Sequence, residues 1–436
     1  MGAIVLIVIA LILGAVSLSF LYESPSIQYK FGWDRVMLRT GKVAGLTAFV
    51  LLVLQLPIAG RIKFLDRIFS LPGLYKIHCI NGIIIGMLVL LHPVLVTLPE
   101  NRFMVPFEMR YWPEWVGVAL LTTILVQLTV GKWRTILIKH YPRWLLFHRI
   151  LGWTVLALLL IHILYVSETF EYDGLPRTVV FVAAGIITIL WLAIRGQRLW
   201  ARRNPFAVSR IEPAGKNAYT VAMKPISRKH FTYLPGQFAF FSFRSLHLSP
   251  EWHPFTLSSS PTRPESLWIS VRGSGDWTDR IHRLEQGDRV YVHGPFGRFS
   301  HLFESGGREL ILIAGGIGIT PMLSMLRVMR DKGDQRRVTL LWSNRTTQHA
   351  FSSDELTNLT HELPNFAWKS VYTAEKSPDG KFGRLNLDRL KSLLADCSRD
   401  AVIFLCGPPK MIQQVRSHLI TIGFPVLSIR EELFGL

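Results

Sequence analysis

The stretch Leu74–Leu98, LYKIHCINGIIIGMLVLLHPVLVTL, decides the fold of the first half of the chain. Its length and apolar composition are those of a helix that spans a lipid bilayer. It contains His78 and His92, which lie fourteen residues apart. At 100° per residue these two side chains leave the same face of the helix, roughly 21 Å apart along its axis. We therefore expect one histidine toward each leaflet.

A second apolar stretch, Trp144–Val166, repeats this arrangement with His148 and His162, again fourteen residues apart. Ionisable side chains in membrane helices are costly and usually face a functional interior, and neutral imidazole is a common axial ligand of haem iron. Two such helices side by side predict two stacked b-type haems. The metal ligands are His78 and His148 for the inner iron and His92 and His162 for the outer iron. The alternative, that each histidine only hydrogen-bonds a neighbouring helix, does not explain the repeated spacing.

Other residues of these two helices have possible roles near the haems. Gly82 and Gly152 follow the inner histidines by four residues, on the same helix faces, where a missing side chain would let a porphyrin lie against the backbone. Trp153 lies between the two predicted haem levels, either as an aromatic step for electrons or as a packing residue. Lys76 and Arg149 would meet haem propionates, or are ordinary basic residues at a membrane boundary.

Six apolar spans are predicted in the first half of the chain. They are Ile4–Leu21, Val43–Ala59, Leu74–Leu98, Trp115–Val130, Trp144–Val166 and Thr178–Ile194. The first span lacks a basic leader and a cleavage site, so we expect it to be retained. Lysine and arginine are concentrated in the second loop, in the fourth loop and after the last span, which predicts that these segments and the N-terminus face the cytoplasm.

The first loop departs from this rule, because it carries basic residues on the predicted outer side. They are Lys30, Arg35, Arg39 and Lys42. We expect this loop to be an interfacial amphipathic segment.

Composition narrows the class of protein. The chain has 436 residues, of which 49% are hydrophobic, and a net charge of +19. This length suits two or three domains, and basic residues between apolar spans suit a membrane surface better than a nucleic acid. The three cysteines form no CxxC pair, which argues against a disulfide framework, a zinc site and a cysteine-held iron–sulfur cluster. A calcium-binding D-x-D-x-D-G loop is also missing from the sequence.

The second half of the chain has the pattern of a soluble protein. From Phe206 to Gly297, short alternating runs with turn residues between them predict an antiparallel β-barrel. From Glu309 onward, strand-like runs alternate with helical patterns, which predicts a doubly wound parallel sheet. The predicted fold is therefore a six-helix membrane bundle (residues 1–200), a β-barrel domain (201–305) and a doubly wound α/β domain (306–436).

Glycine-rich and polar motifs follow the predicted strands. The barrel contains HPFTLSSS (253–260), PGQF (235–238), VRGSGDWT (271–278) and GPFG (294–297), and the α/β domain contains GGIGITP (315–321), WSNR (342–345) and CGPPKM (406–411). Glycines between a strand and a helix let phosphates bind the helix N-terminus. Ser343 and Arg345 follow the second strand, where an arginine suits a 2′-phosphate. Cys406 lies at the same carboxyl edge, or is a small buried residue.

These motifs, in this order behind paired histidines, resemble the NADPH oxidase and ferric reductase superfamily, in its bacterial type without a calcium-binding domain. The second half resembles the ferredoxin–NADP reductase fold. The resemblance implies FAD and NADPH as cofactors. FAD would be bound by His253, Pro254, Phe255, Thr256, Ser259, Arg272, Gly275, Trp277, Thr278 and Phe434. NADPH would be bound by Gly315, Gly316, Gly318, Thr320, Pro321, Ser343, Arg345, Cys406, Gly407 and Pro408.

Within these sets the resemblance implies a catalytic group of three residues. Thr256 would reach the reactive edge of the flavin, Cys406 would border the nicotinamide, and Phe434 would shield the flavin until nicotinamide displaces it. The alternative for Phe434 is a frayed residue of the chain terminus.

The expected function is that of a plasma-membrane oxidoreductase that moves electrons from cytosolic NADPH through FAD and two haems to an external acceptor. We favour dioxygen, reduced to superoxide. Ferric-chelate reduction is the alternative, because Val96 stands where some oxidases of the superfamily carry a second outer histidine. Two other classes are an electron donor to a periplasmic protein and a transporter with structural histidines. We expect no nucleic-acid ligand and no obligatory protein partner.

Overall fold

The computed structural model divides the chain into two units, Met1–Gly196 and Gln197–Leu436. It describes residue 14 and residues 30–100, 105–138, 140–166, 175–227, 231–304, 306–351, 353–375 and 383–433. Apart from residue 14, the predicted first span, Ile4–Leu21, lies outside the described residues, and so does Phe434.

The first unit is helical. Its helices are α1 (Gly32–Ala59), α2 (Lys63–Phe69), α3 (Leu71–Thr97), α4 (Trp112–Lys132), α5 (Arg134–Leu137), α6 (Tyr141–Val166) and α7 (Leu175–Ala201), the last of which runs into the second unit.

Within the described residues, four helices are long and apolar enough to cross a membrane. They are Gly32–Ala59, Leu71–Thr97, Met109–Lys132 and Tyr141–Tyr165. These four correspond to the second, third, fourth and fifth predicted spans. The sixth predicted span lies in α7, whose described apolar part, Ala184–Gln197, is shorter than a span. A total of six spans therefore stays a prediction.

The basic residues assigned to the first outer loop lie mostly in a helix. Arg35, Arg39 and Lys42 belong to the first three turns of α1, which begins at Gly32. The loop is therefore shorter than the sequence suggested, because the helix extends eleven residues beyond the N-terminal end of its predicted apolar span, from Val43 to Gly32. Residues 35, 39 and 42 are spaced by four and three positions, so they share one face of this extension.

Helix pairs form the bundle: α1 packs against α3, and α4 packs against α6. A buried apolar cluster joins three of these helices, and its members are Ile85, Leu120, Ile124, Val155, Leu159 and Ile163. Asn81 is buried, and its Nδ2 donates a hydrogen bond to the carbonyl of Leu51 at 3.0 Å. Large apolar side chains cover the outer surface of the bundle, as a bilayer requires.

The first sheet of the second unit is antiparallel. Its strands are β1 (Phe206–Pro213), β2 (Ala218–Pro225), β3 (Phe238–Arg244), β4 (His253–Thr256), β5 (Leu267–Arg272) and β6 (Arg289–Phe296), in the order β4-β3-β6-β1-β2-β5. An isolated antiparallel bridge joins Leu257, just after β4, to Ile269 in β5. The antiparallel sheet is as expected, whereas full closure into a barrel stays a prediction.

The second sheet is parallel, in the order β11-β10-β7-β8-β9. Its strands and helices are β7 (Leu310–Gly315), α8 (Thr320–Lys332), β8 (Val338–Asn344), α9 (Ser353–Glu362), β9 (Phe366–Tyr372), α10 (Leu387–Leu393), β10 (Val402–Gly407), α11 (Pro409–Ile422) and β11 (Ile429–Leu433). Alternate residues of β7 enter two separate cores, one on each face of the sheet. This is the doubly wound arrangement, in which ligands bind at the carboxyl ends of the strands.

Candidate functional site

The bundle brings the four predicted haem ligands together as two pairs. The ring centroids of His78 and His148 are 6.1 Å apart, and those of His92 and His162 are 6.4 Å apart. A metal bonded to one nitrogen of each ring at about 2 Å separates two such centroids by roughly 6 Å. Each pair therefore has the spacing that one shared iron requires.

The hydrogen bonds of the histidines also fit a haem. The Nδ1 atoms of His78, His148 and His162 are buried and have no hydrogen-bond partner among the described residues, although buried polar atoms are normally paired. Only the Nδ1 of His92 has one, the carbonyl of Gly41 at 2.8 Å. Hydrogen bonding to a neighbouring helix therefore does not explain three of the four histidines.

A metal at either pair would need further ligands that are not protein side chains. Among the described residues, no group of three His, Cys, Asp or Glu side chains is placed to hold a metal ion. A porphyrin supplies four nitrogen ligands and needs only two axial ones. The donor set of each pair therefore fits a haem.

Two glycines that were not identified from the sequence pack against the rings of the outer histidines. A Cβ at Gly45 would lie 2.9 Å from His92 Nδ1, and a Cβ at Gly117 would lie 2.9 Å from His162 Cε1. Each ring thus lies against the backbone of the neighbouring helix, where only glycine fits. The sequence held a signal: residues 45 and 117 are 72 positions apart, close to the 70 positions between the corresponding histidines.

The predicted glycines behave differently. A Cβ at Gly82 would meet Gln55 Nε2 at 3.5 Å, and one at Gly152 would meet Gln127 Nε2 at 3.7 Å, which are ordinary contacts. A role for these two glycines against a porphyrin stays a prediction.

Trp144, which the sequence analysis passed over, is stacked on an inner histidine. Its ring lies 5.3 Å from that of His148, at an angle of 21°, and its Nε1 donates to the carbonyl of Val130 at 3.3 Å. Trp153, by contrast, is 43% exposed and contacts Trp191 edge-on at 6.1 Å. Both roles considered for Trp153, the aromatic step and the packing residue, therefore stay predictions. Contacts of Lys76 and Arg149 with propionates stay predictions.

The second unit brings three predicted FAD residues into one aromatic stack. The rings of His253 and Trp277 are 4.0 Å apart, and Phe255 lies 6.1 Å from Trp277. Trp277 is fixed by a hydrogen bond from its Nε1 to the carbonyl of Ser249 at 2.9 Å. Burial lowers the pKa of His253, while the Glu251 carboxylate, 3.4 Å from its Nε2, opposes that shift.

The other residues predicted for FAD lie around this stack. Pro254 is exposed on β4 and Thr256 is buried at its end. Thr278 closes the SGDWT turn, because its Oγ1 accepts a hydrogen bond from the Ser274 amide at 2.9 Å and donates one to the carbonyl of Gly275 at 3.2 Å.

The Ser259 hydroxyl is hydrogen-bonded within the protein. Its Oγ lies 2.7 Å from the Tyr233 hydroxyl and accepts a hydrogen bond from the Trp268 amide at 3.0 Å. These bonds hold the hydroxyl inside the protein. Its predicted role as a phosphate ligand therefore has no support in the structure.

Arg327 of α8 joins the two sheets of the second unit. Its guanidinium donates to the carbonyl of Ser258 at 2.6 Å and to both oxygens of Glu355 at 2.6 and 2.7 Å. It also lies over the ring of Trp268, 4.9 Å from the centroid. Nothing in the helical pattern MLSMLRVM indicated this buried ion pair.

The glycine-rich turn after β7 meets the motif after β10, as predicted. A Cβ at Gly315 would lie 2.5 Å from Met411 Sδ and 2.8 Å from Pro408 Cδ. Gly318 lies against the Cys406 carbonyl in the same way, and Gly407 against Gly315. Thr320 and Pro321 begin α8 and are buried, with the Thr320 hydroxyl donating to the carbonyl of Ile317 at 3.1 Å.

Cys406 is fully buried in the core on the helix α8 face of the sheet. Burial raises the pKa of its thiol well above the ordinary value. The structure therefore places this thiol as a small buried residue, the alternative that its motif left open, and a catalytic contact with nicotinamide has no support.

Basic side chains lie near the carboxyl end of β8. Arg272 lies over the glycine-rich turn, because a Cβ at Gly316 would be 2.8 Å from its Nη1, and its Nη2 donates to the carbonyl of His349 at 3.4 Å. Burial lowers the pKa of His349, and so do the charges of Arg272, Lys216 and Arg345, while Glu375 opposes them. Arg272, predicted for FAD, thus lies beside the predicted NADPH turn.

Three family profiles match the chain in sequence order. They are the ferric reductase like transmembrane component (residues 44–159), the FAD-binding domain (204–300) and the oxidoreductase NAD-binding domain (312–417).

Curated relatives match about half of the chain. A flavohemoprotein from Deinococcus radiodurans is 30% identical over 250 residues, which are 54% of this chain and 60% of the relative. NADH-cytochrome b5 reductase 1 from Candida glabrata is 30% identical over 183 residues, 41% of this chain and 64% of the relative. The chain thus spans less than two-thirds of the length of either relative.

Among solved structures, flavohemoglobin from Malassezia yamatoensis with bound FAD and heme matches with a TM-score of 0.52 and 19% identity. The match covers 94% of this chain and 99% of that one, and it is a likeness of fold alone. The three profiles, in this order, give the chain the domain architecture of the NADPH oxidase and ferric reductase superfamily.

Proposed function

We propose that this protein transfers electrons from cytosolic NADPH, through FAD and two b-type haems, to an acceptor on the other side of the plasma membrane. The observation that carries the proposal is the pair of histidine pairs in one bundle, with centroid distances of 6.1 and 6.4 Å. A transporter with structural histidines has no need of two such spacings.

The residues of the chain would bind and align the cofactors. When bound, FAD would convert the two electrons of a hydride into single electrons, and haem iron would carry them singly. His78 and His148 would hold one iron, and His92 and His162 the other. In the second unit, the stack of His253, Phe255 and Trp277 offers an aromatic surface for FAD.

The charges around β8 support NADPH over NADH. Arg345, Arg272 and Lys216 all act on His349, and the hairpin that carries Lys216 is held there by its amide, which donates to the carbonyl of Gln348 at 2.8 Å. A 2′-phosphate carries negative charge that a 2′-hydroxyl lacks, and guanidinium groups bind phosphate strongly. The cluster would therefore favour the phosphorylated dinucleotide.

The preferred acceptor is dioxygen, which would be reduced to superoxide. Ferric chelate is the second candidate, supported by the match of residues 44–159 to the ferric reductase like transmembrane component. Transfer to a periplasmic protein partner uses the same path as both.

A sequential assay separates these acceptors. The purified protein is reduced with NADPH without oxygen, and its haem spectrum is followed as oxygen and then ferric citrate are added. We expect oxygen to reoxidise the haems and superoxide to form with metal chelators present, as cytochrome c reduction that superoxide dismutase abolishes. Reoxidation by ferric citrate but not by oxygen would favour the second candidate.

A further inference from the structure

The two halves of the bundle form an internal repeat. Helix α1 packs on α3 as α4 packs on α6. In α6, His148 and His162 lie 70 positions after their counterparts in α3, His78 and His92 respectively. In each half, a glycine on the first helix receives the ring of the outer histidine on the second helix, namely Gly45 for His92 and Gly117 for His162. The geometry of the outer pair is therefore nearly symmetric.

The hydrogen bonding of the outer pair is not symmetric. His92 Nδ1 lies 2.8 Å from the Gly41 carbonyl, whereas His162 Nδ1 is buried and has no partner in the part of the chain that the structure describes. The inner histidines, His78 and His148, also have buried Nδ1 atoms without partners. A carbonyl only accepts hydrogen bonds, so His92 carries its proton on Nδ1 and presents Nε2 as the metal-binding nitrogen.

Gly45 makes this hydrogen bond possible. It lies one helical turn after Gly41, and a Cβ there would be 2.9 Å from His92 Nδ1 and 3.0 Å from His92 Cε1. The first distance is shorter than real Cβ contacts and the second is tighter than most of them, so a residue larger than glycine must push the ring away from the Gly41 carbonyl.

A hydrogen bond of this kind changes the iron that the ring binds. Donation from Nδ1 to an acceptor makes the imidazole a more basic ligand. A more basic axial ligand stabilises the oxidised iron and lowers its reduction potential. Among the four histidines, only His92 has such a bond, and it belongs to the outer pair.

We infer that Gly41 and Gly45 act as positioning residues that set the reduction potential of the outer haem below that of the inner haem. The outer site then gives up its electron more readily than the inner one, which suits delivery to a weakly oxidising external acceptor. This inference rests on the two haems of the proposed function.

The test is a potentiometric titration of the full-length protein followed by optical and electron paramagnetic resonance spectra. In the unmodified protein we expect two haem components with different reduction potentials. The component with the lower potential should be missing in His162→Ala. In Gly45→Ala the potential of that component should rise toward the other, while the inner component keeps its potential.

Two matched glycine variants are the controls. Gly117→Ala crowds the His162 ring as closely but breaks no hydrogen bond, so it should raise the outer potential by less than half as much as Gly45→Ala. Gly185→Ala in α7 meets no described atom within 4 Å, so it should leave both potentials unchanged.

The outcomes separate this inference from the proposed function. Fewer than two haems in the unmodified protein would reject the proposed function. Two haems whose potentials ignore Gly45→Ala, or respond equally to Gly117→Ala, would reject only the inference. If Gly45→Ala does not bind two haems, the unmodified protein provides the test. The haem component that is lost in His162→Ala should then have the lower of the two reduction potentials. If it has the higher one, the inference is wrong.

Discussion

At the residue scale, a small group of charged side chains would determine whether the protein prefers NADPH or NADH. Arg345 follows β8 at the carboxyl edge of the parallel sheet, and its charge reaches His349 together with those of Arg272 and Lys216. The negative charge of Glu375 opposes these positive charges. Its carboxylate is positioned there by a hydrogen bond that it accepts from the Thr347 amide. The balance of these charges should decide whether a 2′-phosphate is attracted.

We predict that Arg345→Ala lowers kcat/KM for NADPH and leaves that for NADH nearly unchanged. A lost hydrogen bond to a charged group costs about 1.5–3 kcal/mol, which corresponds to roughly a tenfold to hundredfold loss. Glu375→Gln should shift the ratio in the opposite direction. Steady-state flavin reduction with both dinucleotides measures this.

Arg210→Ala is the control for this pair, because Arg210 is an exposed arginine on β1 that pairs with Glu212. It should leave the ratio of the two kcat/KM values unchanged. An equal loss for NADPH and NADH in Arg345→Ala would show that Arg345 does not contact the 2′-phosphate.

The sequence predicted residues whose chemistry is unusual for their position, and it missed residues whose role depends on packing. Four histidines in apolar helices stand out in a sequence, and the structure pairs them as predicted. Trp144 and Gly45 do not stand out, because only the position of the neighbouring helix gives them a function. Ser259 and Cys406 belong to informative motifs, but a motif does not say which side of the backbone faces the ligand.

At the scale of elements, one helix holds the two sheets of the second unit together. Arg327 and Ser324 of α8 both bond to the HPFTLSSS segment, through the carbonyls of Ser258 and Ser259 respectively. The glycine-rich turn that precedes α8 is thereby fixed to the segment that also carries His253. We expect this contact to matter for stability and for the alignment of FAD with the dinucleotide.

We predict that Arg327→Met destabilises the second unit by about 2 kcal/mol, because it removes the hydrogen bonds of the guanidinium to the part-buried Glu355 carboxylate and to the Ser258 carbonyl. For a unit of this size the temperature of flavin release should fall by roughly 4–8 °C. Flavin fluorescence of the full-length protein during heating measures it.

Two variants control for this effect. Adding Glu355→Met to Arg327→Met should restore part of the loss, because no unpaired charge then remains. Arg263→Met removes an exposed arginine that pairs with Asp331, and should change the release temperature little. Equal shifts in Arg327→Met and Arg263→Met would contradict the importance of the buried pair.

Element boundaries show where sequence patterns reach their limit. The apolar runs located the cores of the four described spans, but α1 begins eleven residues before its predicted span, because helical hydrogen bonding continues past the apolar residues into Arg39 and Arg35. Strands β7 to β10 lie on the strand-like runs predicted from the sequence, whereas the mostly polar β11 (IREEL) was not predicted. Closure of the first sheet depends on pairing between distant strands, which no local pattern encodes.

At the scale of the whole molecule, the chain joins a helical bundle with paired histidines to a unit with an antiparallel and a parallel sheet. The order of these parts is the order in which the three family profiles match. Every step of the proposed function depends on the first part binding two haems, since a single haem would leave most of the roughly 30 Å hydrocarbon core uncrossed.

The haem content per chain tests this account most directly. A pyridine-haemochrome assay, with protein determined by amino-acid analysis, should give two b-type haems per polypeptide. His92→Ala and His162→Ala should each remove one haem and leave the other. Fewer than two haems in the unmodified protein, or an unchanged content in both variants, would contradict the account.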